Sequence, residues 1–355
     1  MRRRQLLTAL PLALLAGTVL PAPTFAPVRR GTRLAFPRDH GAHPEHRTEW
    51  WYVTGALDAP TPGLGFQLTF FRSRTGRAEA LSSPLAATQV MFAHAALTVP
   101  GERLLHAERS ARPGLGAAFA PDDCRLHVGP WRMLREDTPA GERLHLRAGA
   151  GEFGFDFELA PTQPLLLQGD DGWSQKGPQP EYASHYVSWP QLAVGGRLRI
   201  GNRLQAVTGR AWFDHEWSSE VLAPGGVGWD WLGINLDDGG ALMAFRIRDA
   251  TGATLYASAM LRDGAGRQTR FGPEAVAFRQ RRRWRSPRSG GDYPVELELD
   301  IGPHRLRTRP VLDDQELAAR RPLPLSYWEG LVTLEGSLRG RGYQELTGYA
   351  GALAL

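Results

Sequence analysis

Apolar and polar residues alternate along much of this chain, and this pattern limits its fold more than any other. The alternation is clearest in residues 66–71, 153–159 and 295–301. A strand points successive side chains to opposite faces, so this period gives each segment one apolar face. The 41 glycines and 27 prolines leave little room for helices, and residues 313–321, which end at Pro322, are the single helical candidate. The sequence therefore predicts an all-β protein, in which barrels or sandwiches dispose of the sheet edges.

A weak internal repeat divides the chain into two parts. Residues 186–211 resemble residues 327–350 in the spacing of tyrosine, glycine and threonine, and Trp50 and Trp51 occupy a place similar to that of Trp229 and Trp231. A chain of 355 residues has room for two such domains. We predict one β-domain over residues 33–213 and a second over residues 214–355. Residues 214–219, DHEWSS, then fall at the junction, where clefts commonly bind ligands.

The first 26 residues have the composition of a secretory signal peptide. Arg2, Arg3 and Arg4 precede an apolar run that Pro21 interrupts, and small residues surround Ala26. The two arginines at positions 3 and 4 also fit the twin-arginine export route. No later apolar run in the sequence reaches transmembrane length. We therefore expect an exported protein, periplasmic or secreted.

The charge balance gives no support for nucleic-acid binding. The formal net charge is +5, and removal of the three arginines in the signal peptide leaves +2. Arginines cluster at positions 279–285 around Trp284, where contact with an anionic membrane surface or a partner is one interpretation. A solvated strand face is the interpretation that we favour. The oligomeric state stays open.

Three histidines recur every three residues before the first predicted strand: His40, His43 and His46, with Glu49 following them. On a helix they would share one face and suggest a metal ion, but Pro44 prevents a regular helix. An irregular loop can still bind zinc through three histidines. The alternative that we favour has no metal: His40 and His43 hydrogen-bond backbone groups and hold this segment in front of the first strand.

The neighbouring residues Trp50 and Trp51 lie in a predicted strand, so their rings face opposite sides. We expect one ring to close the floor of a barrel and the other to cover its outside. Packing in the core is favoured over stacking on a ligand for such rings.

The segment 214–217 carries the sharpest candidate for chemistry. In a strand, Asp214 and Glu216 share one face, while His215 and Trp217 share the other. A histidine beside a tryptophan on the wall of an apolar cavity would have its charged form disfavoured, unless a carboxylate such as Asp230 approached it. That arrangement suits general acid catalysis on an apolar substrate, with the indole face stabilising a carbocation. The alternative is a hydrogen-bond network between domains that has no catalytic role.

Several motifs of other enzyme classes are missing from the sequence. It has no G-x-S-x-G nucleophile elbow, no phosphate-binding glycine loop, no C-x-x-C and no H-E-x-x-H. These absences argue against an α/β-hydrolase and against a nucleotide site.

Four separated motifs carry a resemblance to a known family: DHGAHPEHRTEWWYVTGAL, FDHEWSS, GWDWLGINLDDG and GYQELTGYAG. They resemble the carotenoid 1,2-hydratase (hydroxyneurosporene synthase) and AttH-like family, in particular the branch labelled "predicted secreted hydrolase". The resemblance covers the chain from about residue 36 to its end. It implies two lipocalin-like antiparallel β-barrels in tandem. For the hydratases of the family it implies water addition to the terminal double bond of an acyclic carotenoid, with no redox cofactor.

The resemblance also implies roles for particular residues. The histidine and tryptophan that the hydratases use near the reacting end of the polyene correspond to His215 and Trp217. An aspartate is the expected proton donor, and local chemistry makes Asp230 our candidate, with Asp214 as a second acidic member of the site. The remaining predicted residues are assigned to ligand binding, namely Trp229, Trp231, His43, Glu49 and Trp50.

Two functions of different classes follow from these observations. The first is an enzyme that adds water, or performs related proton-driven chemistry, on an isoprenoid or other hydrophobic substrate. The second is a carrier that binds a lipophilic ligand without changing it. Barrel interiors filled with side chains would leave a structural or partner-binding role, and ester hydrolysis is a weaker third function because the sequence offers no visible nucleophile.

Overall fold

The computed structural model describes residues 25–79, 81, 83, 86–318 and 326–353. Most of the predicted signal peptide therefore lies outside the described residues. The described chain is all-β apart from two short 3-10 helices, Arg38–His40 and Pro273–Ala275. Within it there is no helix with the length and apolarity needed to span a bilayer.

The first sheet contains the strands β1 Thr48–Ala59, β2 Leu64–Arg74, β3 Gln89–Val99, β4 Arg103–Pro113, β5 Gly116–Phe119, β6 Arg125–Val128, β7 Trp131–Thr138, β8 Gly141–Ala150, β9 Phe153–Ala160, β10 Leu166–Leu167, β11 Trp173–Gln175, β12 Ala183–Ile200 and β13 Arg203–Glu220. Its neighbours are antiparallel except for a short parallel contact between β4 and β5. Strand β12 is long enough to pair with β13 on one side and with β9 on the other, which closes eleven strands into a barrel.

The second sheet contains the strands β14 Gly226–Leu236, β15 Ala241–Asp249, β16 Thr254–Arg262, β17 Gln268–Phe271, β18 Val276–Arg285, β19 Asp292–Ile301, β20 His304–Pro310, β21 Glu316–Ala318, β22 Ser326–Gly336 and β23 Gly340–Leu346. The hydrogen-bonded order runs from β17 to β18 as a curled half-barrel, with β21 paired to β22. The all-β class and the lipocalin-like two-domain architecture are thus confirmed.

The alternating segments become strands because their apolar face packs inward. Residues 66–71, 153–159 and 295–301 lie in β2, β9 and β19. Inward side chains of the barrel, such as Phe66, Leu68 and Phe157, form one buried apolar cluster. A second buried apolar cluster, which includes Trp328 and Leu297, packs against the curled sheet.

The predicted helix at residues 313–321 is wrong. Residues 316–318 form strand β21, paired with β22, and residues 319–321 lie outside the described residues. Glu316 gives the physical reason: its buried carboxylate accepts hydrogen bonds from Ser286 and, at 2.9 Å, from the Tyr293 hydroxyl. These tertiary contacts outweigh the local helix propensity.

The predicted domain boundary between residues 213 and 214 falls inside β13. That strand belongs to the barrel as far as Glu220, and the second sheet begins at Gly226. The two domains are also held together near Gln191, whose amide group donates to the carbonyls of Leu236 (2.9 Å) and Gly240 (2.7 Å). Strand β13 also contacts the second domain, because the side-chain amide of Asn235 on β14 donates to the carbonyl of Ala211 at 3.1 Å.

The arginine cluster at 279–285 lies along β18, at the edge of the curled sheet. Four of its arginines pair with carboxylates of the adjacent strand β19, in the pairs Arg279–Asp300, Arg281–Glu298, Arg282–Glu296 and Arg283–Asp292. This pairing neutralises much of the local positive charge. Contact with a membrane surface stays a prediction.

Candidate functional site

A cavity of about 1290 Å³ lies between the two domains. One wall is the outer face of the barrel, formed by alternate residues of β1 and β2 such as Trp50, Tyr52 and Phe71. The opposite wall comes from β14, β15, β22 and β23 of the curled sheet. The apolar cluster inside the barrel and the one that packs on the curled sheet are both filled by side chains. The space between the domains is therefore where a ligand of substantial size fits.

Tryptophans dominate the apolar part of the cavity. The rings of Trp50 and Trp229 stack with their centroids 6.3 Å apart and an interplanar angle of 17°, and Trp231 meets Tyr52 edge to face at 5.3 Å. Trp50 lies near the start of β1 and Trp229 near the start of β14, so the pair joins corresponding places of the predicted repeat. Three of the predicted ligand-binding residues therefore line one surface.

The carboxyl group of Asp214 also lines the cavity. It accepts hydrogen bonds from the hydroxyls of Ser188 (2.5 Å) and Tyr186 (2.7 Å) and from the indole of Trp212 (2.7 Å). Burial nevertheless raises the pKa of Asp214 to about 7, and the nearby charge of Glu216 acts in the same direction. A group with such a pKa can hold or release a proton near neutral pH.

Glu345, on β23, is the second acidic group of the cavity. The indole of Trp229 donates to its Oε2 at 2.7 Å, and Oε1 has no hydrogen-bond partner among the described residues. Burial raises the pKa of Glu345 to about 7, and the charges of Glu216 and Asp214 add to this effect. The carboxyl group is half-buried because it faces the cavity, beside the stacked indoles.

A third carboxyl group, Glu329 on β22, lies deeper. The side-chain amide of Gln67 donates to it at 2.6 Å, which joins the two domains. Burial and the charge of Glu345 hold the pKa of Glu329 well above its usual range, which favours its neutral form. The sequence analysis did not single out Glu329 or Glu345, although Glu345 lies within the GYQELTGYAG motif.

Lys176, the single lysine of the sequence, lies in the same cavity. Its ammonium group is 2.8 Å from Glu216 and lies 4.5 Å and 4.2 Å from the ring centroids of Tyr186 and Phe245. The pair places a positive charge within the acidic part of the cavity. A lone lysine in a chain rich in arginine was a signal that sequence reasoning could have used.

His215 and Trp217 face the opposite side of β13, into the barrel. The Nε2–H of His215 donates to Glu49 at 2.9 Å, and its ring stacks on Trp51 with centroids 4.7 Å apart. Trp217 stacks on His43 at 3.8 Å. These residues are buried and do not line the cavity, because strand alternation turns them away from Asp214 and Glu216.

An ion-pair network surrounds Glu49 at this end of the barrel. Arg72 donates to one carboxylate oxygen at 2.7 Å, and His43 donates to the other at 2.8 Å. Burial disfavours the charged imidazolium, yet hydrogen bonds to Asp39 and Glu49 outweigh it and raise the pKa of His43 to about 9. Burial also opposes a charged Glu49, but Arg72, His215 and His43 hold its pKa well below the usual range.

Donor atoms of His43, Glu49 and His215 lie within 4.8 Å of one another, close enough to be considered for a metal ion. Each is already engaged with the others, and Arg72 places a second positive charge on the same carboxylate. The arrangement therefore works as an ion-pair network. It holds residues 38–43 against the barrel through side chains of His43, whereas backbone contacts had been predicted.

Asp230 lies on the face of β14 opposite to Trp229 and Trp231. Its carboxylate accepts hydrogen bonds from Arg246 (2.7 Å), Arg248 (2.8 Å) and the Tyr349 hydroxyl (2.9 Å). The expectation that His215 and Asp230 face one chamber is wrong. The reason is the alternation itself, since a residue between two cavity-facing residues of a strand must point away.

The comparisons with known proteins agree with this architecture. The profile of the AttH-like family matches residues 27–349. A crystal structure of a protein from Nitrosomonas europaea assigned as an AttH is 44% identical in sequence, with a TM-score of 0.84 over 92% of this chain and 100% of that one. Kievitone hydratase from Nectria haematococca shares the fold at 14% identity, with a TM-score of 0.68 over 92% and 97% of the two chains. No curated protein sequence matches. The chain therefore belongs to the AttH-like family.

Proposed function

We propose that this protein is a hydratase that adds water to a carbon–carbon double bond of a hydrophobic, isoprenoid-like substrate in the cavity between its domains. The observation that carries the proposal is Glu345: a carboxyl group with a pKa of about 7 that opens onto an apolar cavity beside two stacked indoles. The fold is shared with a protein named as a hydratase, kievitone hydratase.

The environments of the two acids assign their roles. Asp214 receives three hydrogen bonds that stabilise its carboxylate, whereas Glu345 receives one. Negative charges near Glu345 further favour its neutral form. Glu345 is thus the better proton donor, and Asp214 the better acceptor.

The reaction then balances with these groups alone. Protonated Glu345 transfers its proton to one carbon of the double bond, and the adjacent carbon becomes cationic. The faces of Trp50 and Trp229 stabilise that cation by about 1–2 kcal/mol each in a dry site. A water molecule adds its oxygen to the cation and releases a proton to the carboxylate of Asp214, and the return of this proton to Glu345 completes the cycle.

Incubation of the protein with geranylgeraniol or squalene in ¹⁸O-labelled water tests the proposal. A product that carries one added labelled water is expected, and Glu345→Gln should reduce its formation at least about 100-fold, the scale of a lost general acid. Glu335→Gln, which alters an exposed carboxylate on the same pair of strands, is the matched control. Full activity of Glu345→Gln would overturn the assignment, and recovery of only unaltered lipid would favour a carrier.

Export belongs to the same proposal. The composition of the first 26 residues supports it. Mass spectrometry of the protein made by its host should find an N-terminus near residue 27 in the exported fraction. A full-length protein confined to the cytoplasm would contradict this part.

A further inference from the structure

Charge is separated along the length of the cavity. Its acidic residues and Lys176 lie at one end, whereas the other end is lined by four arginines, Arg47, Arg74, Arg77 and Arg112. Among the described residues, no carboxyl group lines the cavity at the arginine end. Leu115, which lines this end too, is 50% exposed, whereas Asp214 is 3% exposed. The arginines therefore surround the open end, which we call the rim.

The strand register gives the distance between the rim and the acids. Thr48, Ser73 and Ser218 form one row across β1, β2 and β13, while Tyr52, Thr69 and Asp214 form another. The two rows are four residues apart, about 13 Å along extended strands. Arg112 lies on β4, next to Ala111, which pairs with Met91 of β3. Arg74 and Arg47 adjoin the Ser73 row directly.

Four guanidinium groups lie close together at the rim. Arg74 pairs with Glu79 at 2.9 Å, and the guanidinium groups of Arg47 and Arg74 each lie 5.7 Å from the ring of Phe25. Arg77 is exposed. Guanidinium groups in such a cluster bind the planar or tetrahedral oxygens of a carboxylate or a phosphate.

We propose that the ligand of this cavity is an anionic amphiphile. Its carboxylate or phosphate head group binds the rim arginines, and its apolar chain extends inward past Trp50, two residues from the rim row, to Asp214, about 13 Å away. The inference rests on the proposed function only in placing the reacting bond near Glu345, and its binding part stands without turnover. It predicts that several carbon atoms separate the reacting double bond from the head group.

Three probes with one chain, namely oleic acid, oleyl phosphate and oleyl alcohol, separate the head-group chemistries. Binding is measured with the full-length protein by quenching of tryptophan fluorescence, at low and at high ionic strength. Both anionic probes should bind about tenfold more tightly than the alcohol at low ionic strength, and the difference should shrink with salt. The ratio of acid to phosphate identifies the preferred source of the charge.

Two variants locate the effect. Arg77→Gln and Arg112→Gln should each weaken the anionic probes about threefold to fivefold and leave oleyl alcohol unchanged. Arg132→Gln, an exposed arginine on β7 outside the cavity, is the control. Arg77 is exposed, so its variant tests the inference even if Arg112→Gln does not fold.

Equal binding of the three probes, or failure of all three to bind, would overturn the inference. So would an equal loss for all probes in both rim variants. Glu345→Gln separates this result from the hydratase proposal, because it should retain the head-group preference while it loses turnover. A preference for anions without hydration of any probe would contradict only the hydratase proposal. Hydration without a preference for anions would contradict only the inference of an anionic amphiphile.

Discussion

Replacement of His215 by alanine is expected to reduce stability and to leave the chemistry of the cavity intact. The imidazole is fully buried in the barrel, with Trp51 on one side and Trp217 on the other, each 4.7 Å away between ring centroids. Its Nε2–H donates to Glu49, and its Nδ1 lies 3.1 Å from the carbonyl oxygen of Asp39. None of these contacts reaches the cavity.

The expected loss can be built from these contacts. Removal of a hydrogen bond to a charged carboxylate costs about 2 kcal/mol. The space left between the two indoles adds about 2 kcal/mol, because the surrounding barrel can collapse only in part. The free energy of unfolding should therefore fall by about 4 kcal/mol, a large share of the stability of an ordinary domain.

Urea unfolding measures this loss, and His127→Ala, on an exposed strand position of the same barrel, should change stability by less than about 0.5 kcal/mol. Product formation per folded molecule is measured on both variants with the substrate that shows hydration. The folded fraction of His215→Ala should keep the rate of the unmodified protein within about threefold. A loss of stability below about 1 kcal/mol, or folded protein without turnover, would refute the structural role and return His215 to the catalytic group.

Three further results are expected. The value of kcat/KM should fall as pH rises through about 7, where Glu345 loses its proton. Trp229→Phe should move this fall to higher pH, because the hydrogen bond from the indole lowers the pKa of Glu345. Identical pH–rate profiles for the two proteins would contradict this. The pKa of His43 is about 9 in the folded protein against 6.5 for the free side chain. The stabilisation that His43 provides is therefore complete below about pH 6.5, and about 3 kcal/mol of it is lost as pH rises through 9. The free energy of unfolding measured at several pH values should fall by this amount, and His43→Gln should remove the dependence. A Cβ at Gly233 would lie 2.5 Å from the ring of Trp231. Gly233→Ala should therefore lower the free energy of unfolding by about 1–3 kcal/mol. An unchanged midpoint of urea unfolding would show that the ring moves freely.

Local patterns were sufficient for the class of fold and for the faces of its strands. Alternation in residues 66–71, 153–159 and 295–301 predicts three strands that the structure contains. The opposite facing of Trp50 and Trp51 follows from the same rule, with Trp50 in the cavity and Trp51 in the barrel. Such inferences hold because the pleat of a strand depends on neighbouring residues only.

Features that depend on contacts between distant strands could not be predicted from local sequence patterns. Glu345 becomes a candidate acid only because β23 packs beside β14, where Trp229 donates to it. Lys176 reaches Glu216 from a separate loop, and no spacing in the sequence connects them. The misplacement of Asp230 has a different origin: its two tryptophan neighbours suggested a shared cavity, although alternation required the reverse.

Titratable residues are dense in β1 and the segment before it, and in residues 214–217 of β13, and this has one physical explanation. Strands β1 and β13 pair with each other, so Glu49 lies beside Trp217 and Tyr52 beside Asp214. Their inward residues form the ion-pair network that holds the barrel end, and their outward residues form the acidic wall of the cavity. Each strand therefore serves two environments, and polar residues accumulate on both faces where an ordinary barrel strand would carry them on one. A substitution on the inner face should then change stability first, and one on the outer face should change turnover or binding first.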